Sequence, residues 1–184
     1  MLTETKIDCK YPVSQFEFED NRIYRQDRLK GGGGILAYVS TKLPSKKIKV
    51  PKKCKTIEVL SLKLFLNSIN VIVLGLYRPQ KPSKPTGPNY FNQVEEELNH
   101  VISWAGSNGQ MLVIMGDLNL DRLKPDDREG KLLIDIENIF DLSCLISQPT
   151  RVTPNSKTLI DVLLIDRPEL FKAAGVVELG LSDH

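Results

Sequence analysis

The stretch VIMGDLNLD places a carboxylate and a carboxamide, Asp117 and Asn119, two residues apart behind an apolar run. If that run is a strand, its period of two puts both side chains on one face. Such a pair could orient a water and hold a phosphate oxygen; equally, Asp and Asn are the residues that turn the chain at a strand end. GLYRPQ closes another apolar run with Tyr77 and Arg78, a hydroxyl donor and a cation suited to a phosphate. Tyrosine at a strand end also serves as simple amphipathic packing. In LIDVLLI, Asp161 sits between Ile and Val, where a carboxylate costs free energy unless a partner satisfies it. An acid in that position can fix an imidazole tautomer, or it can face solvent from a half-exposed strand. LGLSDH sets Asp183 beside His184, one of only two histidines, as an acid next to an acid–base group or as a polar loop. Glu4, in LTET, says nothing in isolation.

The elements that must position these residues are readable from periodicity. GGGGILAYVS predicts a glycine turn feeding a strand over Ile35–Ser40, and IEVLSLKLFL and INVIVLGLY predict an antiparallel hairpin across NSIN, its second strand buried on both faces. QKPSKPTGPN, with three prolines, is a loop. Apolar residues at Phe91, Val94, Leu98, Val101 and Ile102 mark an amphipathic helix. QMLVIMGDL reads as a buried strand, REGKLLIDIENIF as a second helix, and TLIDVLLI and AGVVEL as closing strands. Helices and strands alternate in the middle with hairpins at the flanks, so the fold class is a mixed α/β sandwich in one domain over residues 1–184. The glycines Gly31–Gly34 do not make a phosphate-binding loop, which would open a helix and carry Lys-Ser/Thr; a flexible hairpin is the expectation.

Composition sets outer bounds. A chain of 184 residues with 41% hydrophobic and 26% charged residues can bury a globular core. A net charge of +2 does not by itself demand a nucleic acid partner. Cys9, Cys54 and Cys144 are too scattered for a disulfide framework or a structural zinc site, which suits an intracellular compartment. No apolar run approaches the roughly 20 residues of a membrane span. TKLPSKKIKVPKKCK carries seven lysines and no acid. It could contact a nucleic acid backbone or act as a nuclear address, but a solvated loop is the commoner meaning of such a run.

Taken in order, LTETK, YRQDRLKGGGGILAYVS, LGLYRP, MGDLNLD, LIDVLLI and LGLSDH resemble the endonuclease/exonuclease/phosphatase superfamily, and more narrowly the apurinic-type endonuclease domain of non-LTR retrotransposons. The resemblance spans essentially the whole chain. It implies a four-layer α/β/β/α sandwich of two mixed sheets flanked by helices, with the site at the top of the sheets. It also implies roles: Glu4 as the principal divalent-metal ligand with Asp183 in support, Tyr77 and Arg78 on the scissile phosphate, Asp117 activating the attacking water, Asn119 holding it, and Asp161 orienting His184. The cofactor so implied is Mg²⁺, with Mn²⁺ as a substitute, and the partner is DNA. A full-length parent would carry a reverse transcriptase domain in the same chain, and an active enzyme would be nuclear. The chain departs from the family in beginning just before its metal glutamate, without the first strand and its asparagine, and in ending at Ser-Asp-His, without the last strand. Both ends are therefore expected to fall inside a domain, and Lys6 stands where the family often has Trp.

The primary expectation is thus an Mg-dependent phosphodiesterase that nicks target DNA. One alternative is a truncated, catalytically inactive remnant, of marginal stability because missing strands leave sheet edges open. The other is a phosphomonoesterase or phosphoinositide phosphatase on the same fold.

Overall fold

The computed structural model describes residues 1–28, 32–80 and 89–177. Within these residues eleven strands and two α-helices follow one another as β1 (Leu2–Thr3), β2 (Asn21–Gln26), β3 (Ile35–Ser40), β4 (Ser45–Ile48), β5 (Glu58–Leu66), β6 (Ile69–Tyr77), α1 (Tyr90–Gly106), β7 (Met111–Asp117), α2 (Arg128–Ile139), β8 (Ser143–Cys144), β9 (Arg151–Thr153), β10 (Ser156–Thr158) and β11 (Asp161–Ile165). Six strands form the larger sheet in the order β4-β5-β6-β7-β11-β8. Among the described residues only β6 and β7 are parallel in it, joined by the crossover that contains α1. Strands β1, β3 and β2 make a smaller antiparallel sheet, and β9 and β10 a separate hairpin.

Alternation along the strands divides the core in two. Ile72, Leu74, Leu76, Leu112, Ile114, Val162 and Leu164 point to one face, where Phe91, Val94, Leu98, Val101 and Ile102 of α1 and Leu132, Leu133 and Ile136 of α2 cover them. Leu60, Leu62, Val71, Val73, Met111 and Val113 point to the other and meet Ile35 and Ala37 of β3. Strand β6 is buried on both faces from Val71 to Tyr77, as its unbroken apolar sequence predicts. The α/β/β layers of the sandwich are carried by the described residues, with both α-helices outside the larger sheet. Among those residues no helix is long and apolar enough to cross a membrane.

The predicted β5–β6 hairpin forms, with Leu66 opposite Ile69 and Asn67 at φ 50° in the turn. Asparagine tolerates that left-handed backbone because its short polar side chain can bond locally. Several elements differ from expectation. Strand β2 (NRIYRQ) is too polar to announce itself. Strand β4 lies inside the lysine run read as a solvated loop, where lysines on an edge strand discourage further strand addition. Leu2–Thr3 pairs with Leu36 and Ile35, so a short strand without an asparagine leads into Glu4. Residues 174–177 of AGVVEL form no strand, and the remainder of that segment lies outside the described residues. So do residues 81–88 of the proline loop, Gly31, and the whole of LSDH with Asp183 and His184.

Candidate active site at one end of the larger sheet

Four neighbouring strands of the larger sheet begin or end at the same level. Glu58 opens β5, Tyr77 closes β6, Asp117 closes β7 and Asp161 opens β11; the register pairs Glu58 with Tyr77, Tyr77 with Asp117, and Asp117 with Asp161. All four are in phase with the side chains facing the smaller sheet, such as Leu60, Val73, Val113 and Ile165. The result is a row of three carboxylates and a phenol along one sheet end. Tyr77 and Asp117 are buried, at 4% exposure each.

The row can pack this tightly because of Gly116. It adopts φ +138°, and a Cβ there would lie 1.9 Å from the Leu76 carbonyl oxygen. No other residue lets β6 and β7 approach so closely at the point where Tyr77 and Asp117 stand.

Glu4 reaches the row from the smaller sheet. Its exposed carboxylate accepts a hydrogen bond from the Tyr77 hydroxyl through Oε1. The backbone around it is gripped by the glycine turn: Thr5 N–H donates to Gly34 O (3.3 Å) and Lys6 N–H to Gly33 O (2.8 Å). Gly33 and Gly34 both sit at φ +94°; a Cβ on the first would lie 2.4 Å from Glu58 Oε1, and on the second 2.6 Å from Thr5 Oγ1. Glu58 in turn accepts the Gly34 N–H through Oε2 (2.6 Å) and pairs with Arg28 (3.3 Å). The glycines therefore serve as a close-packed clamp joining Glu4 to Glu58.

Beyond Asp117 the chain turns sharply. Asp117 Oδ1 accepts the Asn119 N–H (2.8 Å), the predicted Asx-type arrangement, and Asn119 takes φ 49°. The Asn119 amide donates to Arg78 O (2.8 Å). Glu4 (φ 53°), Lys6 (φ 54°) and Asn119 thus all hold left-handed backbone beside the same row. Non-glycine residues in that region cost on the order of 1–3 kcal/mol each, and such strain concentrates where geometry serves a function.

Arg78 lies inside the fold. It was expected on the phosphate but is only 1% exposed. Its Nε donates to Leu118 O (2.6 Å), Nη2 donates to Asn119 O, and Glu129 lies 3.7 Å away. The guanidinium ties the end of β6 to the turn after β7 and is not turned toward solvent. Asp161 is half-buried and its N–H donates to Thr150 Oγ1 (3.0 Å). Its expected partner His184, and Asp183, lie outside the described residues.

Electrostatics follow from crowding. Burial, reinforced by the hydrogen bond and charge of Glu4 and by the charges of Asp117 and Glu58, pushes the Tyr77 phenol well above its ordinary pKa. The hydroxyl therefore stays protonated and remains a donor. Burial also raises the Glu58 carboxyl, opposed by the Gly34 N–H and Arg28 and assisted by the charge of Glu4. Among the described residues no three His, Cys, Asp or Glu side chains converge into a cage for a metal ion.

Glu58 is the member that sequence reasoning missed. A lone glutamate at a strand start looks solvent-facing. The available signal was its phase: in IEVLSLKLFL it shares a face with Leu60 and Leu62.

A two-sheet α/β frame with acids at the strand ends defines a class of fold, and solved structures identify it. The chain superposes on the endonuclease domain of TRAS1, a telomere-specific non-LTR retrotransposon, with a TM-score of 0.57 at 18% identity, covering 80% of this chain and 65% of that one. It matches the AP endonuclease LMAP from Leishmania major with a TM-score of 0.60 at 12% identity, covering 89% and 68%. For the 3' phosphatase NExo from Neisseria, bound to product DNA hairpin, the values are 0.57, 14%, 89% and 74%. The protein has the endonuclease/exonuclease/phosphatase fold. It spans just under two thirds of the length of the TRAS1 domain. No family model matches the chain, and no curated protein matches it in sequence.

Proposed function

We propose that the chain is a divalent-metal-dependent phosphodiesterase acting on DNA, of the kind that nicks a target for a retroelement whose full-length parent carries a reverse transcriptase. The observation that carries this reading is the Glu58–Tyr77–Asp117–Asp161 row, with Glu4 hydrogen-bonded to its phenol. The fold it shares with two endonucleases and a DNA 3' phosphatase supports it.

A phosphodiester is an anion that repels its nucleophile, so hydrolysis needs fixed positive charge and donors around the developing charge. The donors here are oxygens, which suits Mg²⁺ or Mn²⁺, and Mg²⁺ accepts one or two carboxylates with water completing its shell. Exposed Glu4 would hold it, with Asp183. When bound, the cation would polarise the phosphoryl oxygens.

The chain's own residues do the rest. Asp117, fixed by the Asn119 N–H, takes the proton of a water that adds to phosphorus as the P–O bond breaks. Tyr77, held protonated, can turn its hydroxyl from Glu4 to a phosphate oxygen. Asn119 fixes the turn through Arg78 O and leaves its carbonyl oxygen for the water. Asp161 would orient His184 as a donor to the phosphorane-like charge. Arg78 acts by positioning Asn119.

Supercoiled plasmid with Mg²⁺ provides the test. Glu4→Gln and Asp117→Asn should each lower nicking by roughly 10²–10⁴-fold while melting as cooperatively as the parent chain. Undiminished metal-dependent nicking by both variants would remove the assignment. A 3'-phosphorylated hairpin run in parallel separates diester from monoester chemistry.

A further inference from the structure

The lysine run is only partly accounted for by edge strand β4. Beyond it, residues 49–57 fold back toward β5, and between them and Gln26–Arg28 lies an open groove of about 1220 Å³. Lys49, Lys52, Lys53 and Lys55 line it, all exposed. Its two lining acids are engaged: Asp27 holds Arg25 (2.6 Å), and Glu58 holds Arg28 and the Gly34 N–H. Among the described residues none of the four lysines is ion-paired. The groove therefore presents uncompensated positive charge in a chain whose net charge is only +2.

Two further features separate it from a solvated lysine loop. First, its frame is fixed. Glu97 of α1 accepts the backbone N–H groups of Lys55 and Thr56 (2.9 Å each), and Val50 and Cys54 pack against the helix-side core. Second, it opens on the candidate site. Glu58, a member of the row, lines it, together with Pro79, two residues past Tyr77.

We propose that this groove is a track for a nucleic acid backbone, carrying the strand away from the cleavage site with Lys49, Lys52, Lys53 and Lys55 each opposite a phosphate. The proposal rests on the reading of the site as one that acts on DNA. Lysine suits the task because each ammonium is a mobile point charge that neutralises a phosphate without reading a base. Binding of this kind releases counterions, so affinity falls steeply with salt, by a slope of about 0.9 per phosphate on duplex DNA.

The experiment measures binding without cleavage. The wild-type chain in EDTA is titrated with a fluorescent DNA duplex across a salt series. A variant with Lys49, Lys52, Lys53 and Lys55 all changed to Gln is compared with one in which Lys10, Lys42, Lys131 and Lys157, also exposed, are changed to Gln. The two carry the same net charge, and thermal melts confirm that both fold. The groove variant should lower the slope of log K against log salt by about 3 to 4, and the control by less than about 1. Equal losses in both, or no loss in the groove variant, would overturn the proposal. So would loss of binding to phosphatidylserine vesicles with the DNA slope intact. Plasmid nicking is scored separately: a chain that does not nick but loses its salt slope only in the groove variant keeps the track and rejects the nuclease reading, whereas nicking with an unchanged slope does the reverse.

Discussion

Glu97→Gln is the sharpest test of how the frame around the site is held. Glu97 lies on the buried face of α1 at 5% exposure, yet it is a carboxylate. Burial alone would raise its pKa, but hydrogen bonds from the Lys55 and Thr56 N–H groups, the Thr56 hydroxyl (2.7 Å) and the Gln93 amide (3.1 Å) outweigh burial and hold it below the usual value. Glutamine keeps the shape but replaces Oε2 or Oε1 with a donor. At least one backbone N–H then faces an N–H instead of an acceptor. Hydrogen bonds to a charged group contribute roughly 1.5–3 kcal/mol each, so losing one outright and weakening the others should cost about 3 kcal/mol. With a urea m-value of about 1–3 kcal/mol/M, the midpoint should fall by at least about 1 M near neutral pH.

The pH dependence gives the sign. A carboxyl whose folded pKa is depressed stabilises the protein above its unfolded value of about 4.3, and that contribution fades as pH falls through the lower folded value. The gap between wild type and Glu97→Gln should therefore narrow as acid is added below about pH 4. Urea melts monitored by Trp104 fluorescence at neutral and acid pH measure both numbers. A variant less than about 1 kcal/mol weaker, or a gap that does not change with pH, would refute the account of Glu97 as a charged anchor.

Two other substitutions probe the row directly. Gly116→Ala should cost several kcal/mol, above the roughly 1–3 kcal/mol of ordinary overpacking, because the new methyl meets the Leu76 carbonyl; a lowered melting temperature together with lost plasmid nicking is expected, and a neutral variant would contradict the β6–β7 geometry. Arg78→Lys replaces a fork bound to two carbonyls with one ammonium, so the turn carrying Asn119 should loosen, with a loss of about 2 kcal/mol in stability and a larger proportional loss in nicking rate than in DNA affinity.

Much of the row was legible because its members end apolar runs. Tyr77, Asp117 and Asp161 follow or open stretches whose β-branched, continuous character marks central strands, and the hairpin register then sets Glu58 beside Tyr77. What sequence could not show was pairing between distant segments. The polar strands β2 and β4 carry little periodic signal, since β4 is an edge and β2 is nowhere fully buried. The burial of Arg78 was not legible because arginine is so seldom buried; it depends on the two carbonyls that accept from its guanidinium across the β7 turn. The glycine run reads as a flexible hairpin in the sequence, whereas its use as a clamp on Glu4 and Glu58 depends on contacts across two sheets.

The strand-end row also bears on how the molecule acquires its structure. Its four members are drawn from positions 58 to 161, and only the Glu58–Tyr77 pair lies within one hairpin. Tyr77 and Asp117 come together through the parallel β6–β7 pairing, which must wait for the α1 crossover to close, and parallel pairings across long loops are slow to form. A chain that has made its helices and its β5–β6 hairpin still has no assembled site. Until the crossover closes, the apolar strands that will flank the row stay open to other chains, so the interval before closure is when this protein is most exposed to aggregation.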